Sequence, residues 1–272
     1  MATQAEKGKA FRALHQRDSA FIIPNPWDAG TARLLAHAGF EALATTSAGC
    51  AFSLGKADGT TGLLGAMAHV AAIAAATELP VSGDLENGFG DAPETVAETI
   101  RLAAAAGLVG GSIEDATGDR AEPIYEMDLA IARIEAAAET AHGLRFPFML
   151  TARAENYLYG RADLKDTIAR LRAYQEAGAD VLYAPGLKTR EDIAAVVRSV
   201  DRPVNVLMGL EGAVFSLAEL SELGVKRVSV GSALARAAMG TVLAAAQEMR
   251  EQGTFTFAKK AAGLRELNKL FG

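Results

Sequence analysis

The sequence has a single cysteine, Cys50, in 272 residues, and this scarcity excludes two kinds of stabilised protein. One cysteine cannot form an intramolecular disulfide and cannot build a cysteine-rich zinc site. Basic residues are also in deficit, because 27 lysines and arginines face 33 acidic residues, which gives a net charge of −6. A chain of this charge has no basic footprint for nucleic acid. We therefore expect no nucleic-acid partner.

Long apolar runs are missing as well, although 50% of the residues are hydrophobic. The alanine-rich stretches carry charges every few residues, so none of them resembles a membrane span. The first twenty residues lack the apolar segment of a secretory signal peptide. We expect a cytoplasmic protein with no membrane partner and with one large hydrophobic core.

What the sequence does contain is a regular alternation of short apolar segments with longer helical ones. Several predicted helices stop at a glycine just before the next apolar segment, which is a C-cap signal. This alternation predicts a parallel α/β protein, and eight units in this length fit a (β/α)8 TIM-type barrel. No Gly-x-Gly-x-x-Gly follows the first strand, which argues against a dinucleotide-binding sheet. The eight predicted strands begin at Phe21, Glu41, Leu79, Val109, Phe148, Val181, Val204 and Arg227.

The pattern runs without a linker, so we predict one barrel domain over residues 1–272. A helix within residues 1–20 precedes the barrel, and a helical extension over Ala233–Gln252 and Thr254–Phe271 follows it. The small and polar segment Ser47–Gly62 is predicted to be a long loop.

Acidic residues end two neighbouring predicted strands, and an arginine ends the next one. Asp84 and Glu86 close the third strand, where strand alternation places them on one face. Glu114 closes the fourth strand and Arg153 the fifth. In a barrel the active site lies at these carboxyl ends, so the charged groups face a shared centre. Oxygen ligands without nitrogen or sulfur suit Mg²⁺, with Mn²⁺ as the alternative, and predict a metal site here.

Other catalytic arrangements find little support. None of the four histidines ends a predicted strand, which argues against a Ser-His-Asp triad and a histidine zinc site. No lysine lies on a predicted strand, as a Schiff-base mechanism would require. Cys50 is predicted to be a small buried thiol rather than a nucleophile. Ser47-Ala48-Gly49, in contrast, suits close approach of backbone N–H groups to a carboxylate.

Five motifs, taken in order, resemble those of the isocitrate lyase/phosphoenolpyruvate mutase superfamily over residues 20–250. The resemblance implies a barrel that binds Mg²⁺ and a 2-oxo acid. It also implies C-terminal helices that are swapped between subunits, giving a homodimer or a homotetramer. The motifs are Asn25-Pro26-Trp27-Asp28-Ala29, Ser47-Ala48-Gly49, Asp84-x-Glu86-x-Gly88-x-Gly90, Ser112-Ile113-Glu114-Asp115 and Ala152-Arg153.

The same resemblance implies roles for individual residues. Asp84 would contact the metal directly, whereas Glu86 and Glu114 would act mostly through metal-bound water, as would Asp58. Arg153 would hold the oxo or enolate oxygen. The predicted catalytic residues are Arg153, Asp58 and Glu114, and the predicted metal ligands are Asp84, Glu86 and Glu114. The predicted substrate-binding residues are Ser47, Ala48, Gly49, Trp27, Asp84, Arg153 and Asn205.

The loop after the fourth strand, 115–126, is expected to close over the site, and we call it the gate loop. It lacks the Lys-Lys/Arg-Cys-Gly-His sequence of the isocitrate and methylisocitrate lyases, and it lacks the asparagine expected in phosphonomutases. The superfamily also usually has Asp where this chain has Glu86. The gate-loop residues expected to act on the site are Asp115, Thr117, Asp119, Arg120 and Glu122.

These features predict a Mg²⁺-dependent lyase that cleaves a C–C bond of a small 2-oxo or 2-hydroxy di- or tricarboxylate, in the manner of an oxaloacetate decarboxylase. Decarboxylation needs no strong general acid before the bond breaks, which suits a gate loop without Cys or His. Three alternatives stay open. One is a C–P bond enzyme such as a phosphonopyruvate hydrolase or phosphoenolpyruvate mutase. The second is an isocitrate- or methylisocitrate-type lyase with an altered gate loop, and the third is a barrel that binds 2-oxo acids without catalysis.

Overall fold

The fold is built on an eight-stranded parallel sheet that curls into a nearly closed barrel. The computed structural model describes residues 2–209, 212 and 214–272, so Met1, which the predicted N-terminal helix included, lies outside the described residues. The predicted fold class, a (β/α)8 TIM-type barrel, is confirmed. The strands are β1 Phe21–Ile23, β2 Leu43–Ala44, β3 Val81–Asp84, β4 Gly110–Glu114, β5 Met149–Arg153, β6 Val181–Tyr183, β7 Val204–Leu207 and β8 Arg227–Ser229.

Helices surround this sheet and separate successive strands, as in α/β barrels. They are α1 Gln4–His15, α2 Ala29–His37, α3 Ser47–Ser53, α4 Gly62–Ala75, α5 Pro93–Ala105, α6 Met127–His142, α7 Leu164–Glu176, α8 Arg190–Ser199, α9 Leu217–Glu222, α10 Ala233–Gln252 and α11 Leu264–Phe271. A 3₁₀ turn, Thr256–Lys260, lies between the last two.

Asn25 connects the first two strands to the last one at the catalytic rim. Its side-chain amide donates to the carbonyl of Thr45 at 2.9 Å, and its Oδ1 accepts from the backbone N–H groups of Val230 and Gly231, both at 2.9 Å. The backbone N–H of Ala44 also donates to the carbonyl of Pro24 at 3.1 Å. Because β1 and β2 are the two outer strands of the sheet, these bonds hold the barrel together where the ladder is weakest.

The opposite end of the barrel is closed by α1. Its residues Phe11 and Leu14 are buried against Phe21 of β1 and Met149 of β5. Helix α1 also packs closely against Pro147 at Gly8, where an added Cβ would lie 2.3 Å from the carbonyl oxygen of Pro147. The amino-terminal end of the barrel is therefore filled by side chains, and ligands have access only from the carboxyl ends of the strands.

Two predictions of secondary structure, one of a loop and one of a helix, are wrong in detail. The segment Ser47–Gly62 is not a continuous loop, because Ser47–Ser53 form α3. Thr46 caps this helix by accepting a hydrogen bond from the backbone N–H of Gly49, and its small residues fit against Ala235 of α10. The segment Thr254–Phe271 is not one helix, because an extended backbone at Ala261 and Gly263 separates the 3₁₀ turn from α11.

The carboxy-terminal helices lie apart from the core of the barrel. Helix α10 has 20 residues and only Ala235 is buried, while α11 has no buried residue. Arg33 of α2 stacks on the ring of Phe271, with 5.6 Å between the guanidinium carbon and the ring centroid. No helix of the described residues combines the length and the apolar character that crossing a bilayer would require.

Candidate active site

The charged residues that the strand ends predict lie together at the open end of the barrel. Asp84 is the last residue of β3, Glu114 the last of β4 and Arg153 the last of β5, and Glu114 pairs directly with Arg153 in the sheet register. Because these strands are neighbours, their final side chains converge on one point of the rim. The prediction that the acids and the arginine form one site agrees with this geometry.

Arg153 is the centre of the cluster and binds three carboxylates at once. Its Nη1 lies 3.0 Å from Asp84 Oδ1, its Nη2 lies 2.9 Å from Glu114 Oε2, and its Nε lies 2.8 Å from Glu155 Oε1. Burial lowers the pKa of the guanidinium, but the charges of Glu114, Glu155 and Asp84 outweigh burial and raise it well above its ordinary value. The arginine is therefore a permanent cation held in one orientation.

The acids around this cation crowd one another. Burial and the charges of Asp84 and Asp58 raise the pKa of Glu86 to about 7. Burial raises the pKa of Glu114 well above its ordinary value, against the opposing effect of Arg153. Burial and the charge of Asp84 also raise the pKa of Asp58. Such repulsion indicates a site with too few cations for its carboxylates.

Glu86 lies just beyond the end of β3, in a strained turn. Its φ of 50° and the φ of 60° at Phe89 are left-handed, which is rare for residues with a side chain. Strand alternation therefore stops at Asp84, and the argument that alternation places Glu86 on the same face does not hold. The turn itself brings Glu86 back, because Asp84 and Glu86 line the same small cavity beside His69.

Arg133 of α6 holds this turn from behind and was missed by the sequence analysis. It is 1% exposed and donates to the carbonyls of Gly90 at 2.6 Å and Asp91 at 2.5 Å, and also to that of Asn87. Its guanidinium carbon lies 4.2 Å from the ring centroid of Tyr125. Mid-helix arginines are usually exposed, so nothing in the sequence distinguished this one.

The donor set fits a hard divalent cation, although no ready-made cage is present. Among the described residues, no three of the types His, Cys, Asp and Glu are arranged to hold an ion together. Mg²⁺ does not need such a cage, because it usually keeps several waters and one or two protein carboxylates. The crowded acids Asp84, Glu86 and Glu114 supply the oxygen ligands and the excess negative charge that such an ion requires.

Helix α3 places its first residues at the rim, but not all of them face the cavities. The backbone N–H of Ser47 donates to Asp84 Oδ2 at 2.9 Å, and the N–H of Gly49 donates to Thr46 Oγ1 at 3.2 Å. Ser47 and Ala48 line the cavity that reaches down into the barrel, whereas Gly49 is buried. A Cβ at Gly49 would lie 2.9 Å from the Cβ of Trp27, so the two predicted residues contact each other behind the site.

The gate loop is fixed at its base and exposed at its tip. Asp115 is 3% exposed, and its carboxylate accepts from Tyr174 at 2.6 Å and from Arg170 at 3.2 Å. It therefore anchors the base of the loop. Ala116 and Thr117 line a cavity that lies under the gate loop. Asp119, Arg120 and Glu122 are exposed residues of the tip.

Two cavities meet at the charged cluster. The inner cavity has a volume of about 200 Å³ and reaches down into the barrel, and Asp58, Asp84, Arg153 and Asn205 line it. The outer cavity of about 850 Å³ lies under the gate loop, and Asp58, Glu86, Glu114 and Arg153 line it. The predicted residue Asn205 thus lies in the inner cavity, where its side chain donates to Ser229 Oγ at 2.9 Å.

The inner-cavity residues that were missed include Tyr183, Arg227 and Ser82. The strand-end argument covers only residues that end a strand, whereas Ser82 and Arg227 lie earlier in β3 and β8. A signal for Arg227 was available, because a charged residue that opens a short apolar strand is unusual. Tyr183 ends β6, and its ring centroid lies 5.3 Å from the guanidinium carbon of Arg153.

Comparison with known proteins agrees with the fold and the site. The profile described as phosphoenolpyruvate phosphomutase matches residues 11–250. The chain is 36% identical over 227 residues to an uncharacterized Mycobacterium tuberculosis protein, covering 82% of each. It is 29% identical over 233 residues to the oxaloacetate decarboxylase of Paraburkholderia xenovorans, covering 83% of this chain and 75% of the relative.

A solved structure from Burkholderia cenocepacia, described as a candidate lyase/mutase, superposes with a TM-score of 0.97. It is 65% identical, and the match covers 99% of this chain and 96% of the other. The resemblance seen in the five sequence motifs is therefore confirmed. The chain belongs to the phosphoenolpyruvate phosphomutase family and is an enzyme of the isocitrate lyase/phosphoenolpyruvate mutase superfamily.

Proposed function

We propose that this chain is a Mg²⁺-dependent lyase that cleaves a C–C bond of a small 2-oxo or 2-hydroxy di- or tricarboxylate, in the manner of an oxaloacetate decarboxylase. The observation that carries the proposal is the guanidinium of Arg153, which three carboxylates hold in place at the junction of the two cavities. The similarity of the chain to the Paraburkholderia oxaloacetate decarboxylase supports C–C chemistry.

The residues divide into those that hold the metal and those that hold the substrate. Asp84 would bind Mg²⁺ directly, and Glu86, Glu114 and Asp58 would act mostly through its waters. The ion would supply Lewis acidity to the oxygen of the 2-oxo group. Arg153 would donate hydrogen bonds to the same oxygen.

Arg153 would act as a preorganised hydrogen-bond donor. Its N–H groups would face the substrate oxygen that becomes negative as the C–C bond breaks and the electron pair moves into the enolate. Because the guanidinium is already oriented, no reorganisation is needed at that moment. Ser47 and Ala48 are placed to hold the carboxylate next to the oxo group. In decarboxylation of oxaloacetate the other carboxylate, which is β to the oxo group, leaves as CO₂, and the enolate takes up a proton to give pyruvate, which keeps the carboxylate next to the oxo group.

The gate loop would keep water from the site by closing from its exposed tip over its anchored base. The absence of Cys and His from its sequence fits a reaction in which no strong acid is needed before bond cleavage. Asp119, Arg120 and Glu122 would then contact the substrate only in the closed state.

We also propose that α10 joins a second copy of the chain, with the C-terminal helices swapped between subunits in a homodimer or homotetramer. Large apolar side chains stand exposed on this helix, with Val242 at 67% and Leu243 at 71%. Exposed apolar faces of this kind commonly mark contacts between proteins. We also propose a cytoplasmic location.

A substrate panel tests the activity. Purified protein would receive oxaloacetate, 2-methylisocitrate, isocitrate, oxalomalate or phosphonopyruvate, with Mg²⁺ or with EDTA, while pyruvate, glyoxylate and phosphate are followed. The proposal expects Mg²⁺-dependent 2-oxo acid from at least one C–C substrate. Phosphate from phosphonopyruvate alone would assign C–P chemistry instead. Tight binding without any product would leave a non-catalytic 2-oxo acid-binding barrel.

A further inference from the structure

Arg227 opens β8 and extends its side chain across the inside of the barrel. Its Nε donates to Asn205 Oδ1 at 2.9 Å on the neighbouring strand, and its Nη2 donates to Thr151 Oγ1 at 3.0 Å. Thr151 belongs to β5, which is three strands away in the sheet, so the guanidinium lies across the interior. Only 5% of Arg227 is exposed.

The third partner of Arg227 is His15 of α1, and it is neutral. His15 Nδ1 lies 2.9 Å from the carbonyl oxygen of Phe11, so this nitrogen carries the proton. Its Nε2 therefore presents a lone pair to Arg227 Nη1, which lies 3.4 Å away. Burial and the nearby charge of Arg227 lower the pKa of His15 to about 3, so the ring stays uncharged at neutral pH.

Arg227 thus differs from the buried arginines Arg153 and Arg170, and also from Arg133, which has no carboxylate partner but donates to three backbone carbonyls. Arg153 binds three carboxylates, and Arg170 binds Asp115 and Asp166. Within the part of the chain that the structure describes, no carboxylate forms an ion pair with Arg227. Burial lowers its pKa to about 10, which reflects the cost of a desolvated cation without a counter-charge. Such a cation requires an anion.

The inner cavity provides the space for that anion. Arg227 lines it together with the hydroxyl-bearing residues Ser82, Ser112 and Ser229, which come from three different strands. Ser82 precedes Asp84 by two residues on β3, so Ser82 lies roughly 6–7 Å below Asp84 along the strand. Ser112 pairs with Asp84 in the sheet register and so lies nearer the charged cluster. Arg227 has five N–H donors and directs three of them to Asn205, Thr151 and His15, which leaves two.

We propose that Arg227, with Ser82 and Ser112, binds a second carboxylate of the substrate in the middle of the barrel. This inference rests on the proposed function, in which one end of the substrate lies next to Arg153. The substrate would then span the inner cavity from the charged cluster to Arg227. An arginine fork and hydroxyl donors match the planar, two-oxygen geometry of a carboxylate.

The carboxylate at Arg227 is one that the reaction retains. A cation bound to a carboxylate stabilises its negative charge and so opposes its departure as CO₂. An acid group held here therefore belongs to the part of the substrate that leaves as an intact carboxylic acid. Within the proposed class of 2-oxo and 2-hydroxy acids, this selects those with an acid group beyond the bond that is cleaved. Oxaloacetate is not among them, because its second carboxylate is the one that leaves as CO₂.

Binding of simple acids without Mg²⁺ tests the site separately from catalysis. The probes are succinate, its monocarboxylate counterpart butyrate, and inorganic phosphate, and the proteins are wild type, Arg227→Met, Arg227→Lys and the exposed control Arg172→Met. We expect succinate to bind wild type and the control equally, and Arg227→Met at least about tenfold more weakly. Arg227→Lys should retain part of the affinity, and butyrate should bind weakly.

Three results would overturn the proposal. Equal succinate binding by wild type and Arg227→Met would remove the role of the arginine. If phosphate binds in an Arg227-dependent way and succinate does not, the ligand of this site is a tetrahedral anion and not a carboxylate. If Arg227→Met does not fold, Ser112→Ala should weaken succinate binding several-fold, and unchanged binding would count against the site.

Kinetics test whether the carboxylate is retained. With the acid that the substrate panel identifies, Arg227→Met should raise KM at least about tenfold and leave kcat within about twofold, as for an interaction equally strong in ground and transition states. Faster decarboxylation by Arg227→Met would show that the bound carboxylate is the leaving one. Absence of turnover with every acid would remove the proposed function, while the succinate result would still decide the Arg227 site.

Discussion

At the scale of single residues, the site depends on one arginine that is charged, buried and fully oriented. Arg153 joins the acids of β3 and β4 to Glu155, and it stacks near Tyr183. Lysine would keep the charge but could not donate in three directions within one plane. The geometry of the guanidinium, more than its charge, is therefore the property that the reaction needs.

Replacing Arg153 by Lys should reduce kcat/KM by about 100-fold, the usual effect of losing one preorganised donor to a developing oxyanion. Steady-state kinetics on the identified substrate measure this loss. Arg101→Lys, which changes an exposed arginine paired with Glu98, serves as the matched control and should behave as wild type. Activity of Arg153→Lys within a few-fold of wild type would contradict the role assigned to the guanidinium.

His15 should make stability depend on pH. Its pKa is about 3 in the folded protein against 6.5 in an unfolded chain, so below pH 6.5 the unfolded state binds a proton that the folded state does not. The free energy of unfolding therefore falls as pH decreases from 6.5 towards 3, by up to about 1.4 kcal/mol per pH unit from this group. Above pH 6.5 the contribution is constant.

The variant His15→Gln keeps an acceptor for Arg227 and removes the titration. Urea unfolding at pH 7 and pH 5 should show a smaller loss of stability in His15→Gln than in wild type over this interval. Loss of ring packing against Phe11 and Phe21 lowers the stability of the variant at both pH values and does not affect the comparison. If both proteins lose the same free energy of unfolding between pH 7 and pH 5, His15 does not have the lowered pKa.

At the scale of elements, the turn after β3 is a strained segment held by a helix that does not itself enter the site. Glu86 and Phe89 have left-handed backbone, and Arg133 binds three carbonyls of the same turn. Tyr125, at the end of the gate loop, stacks on Arg133 and donates to Asp91 Oδ1 at 2.5 Å. The acid turn and the base of the gate loop therefore share one support.

Removing this support should loosen the metal site. Arg133→Met leaves buried carbonyls of the turn without donors, which should lower the free energy of unfolding by roughly 1–3 kcal/mol. Mg²⁺ affinity, measured by calorimetry, should fall by about 10- to 100-fold, as for other residues that orient metal ligands. Arg101→Met, on the exposed side of α5, should change neither quantity. Unchanged Mg²⁺ affinity in a folded Arg133→Met would separate the turn from the metal.

The sequence predicts the features that have a pattern within one short segment, and it misses those that depend on residues far apart in the chain. The eight strands and the meeting of Asp84, Glu114 and Arg153 follow from apolar runs and from the rule that strand ends converge. Helix α3 was missed because its residues are small, and its stability comes from the Thr46 cap and from contact with α10. Arg133 and Arg227 were missed because their partners are far away in sequence.

At the scale of the whole molecule, the barrel is well packed and its last helices are not. Helix α10 presents Leu234, Val242, Leu243 and Met249 to solvent in a single chain. The core of the barrel lies elsewhere, on the inner faces of the helices and strands. An apolar helix of this length is best accounted for by burial against a second copy.

The variant Leu243→Glu should weaken self-association. Sedimentation velocity should show wild type as a dimer or tetramer and Leu243→Glu shifted to smaller species, because a charge would enter an apolar contact. Gln247→Glu adds the same charge to an exposed polar position of α10 and should assemble as wild type does. A monomeric wild-type protein at micromolar concentration would rule out the proposed assembly.

The most direct test of the account is the metal dependence of C–C cleavage at the Asp84–Arg153 cluster. Product formation from the acid that the panel identifies would be measured for wild type and Asp84→Asn, with Mg²⁺ and with EDTA, and corrected for the protein-free rate with Mg²⁺. We expect wild-type turnover to stop with EDTA and to return with added Mg²⁺, and Asp84→Asn to be at least about 100-fold slower. Turnover that EDTA does not affect, or full activity of Asp84→Asn, would contradict the account.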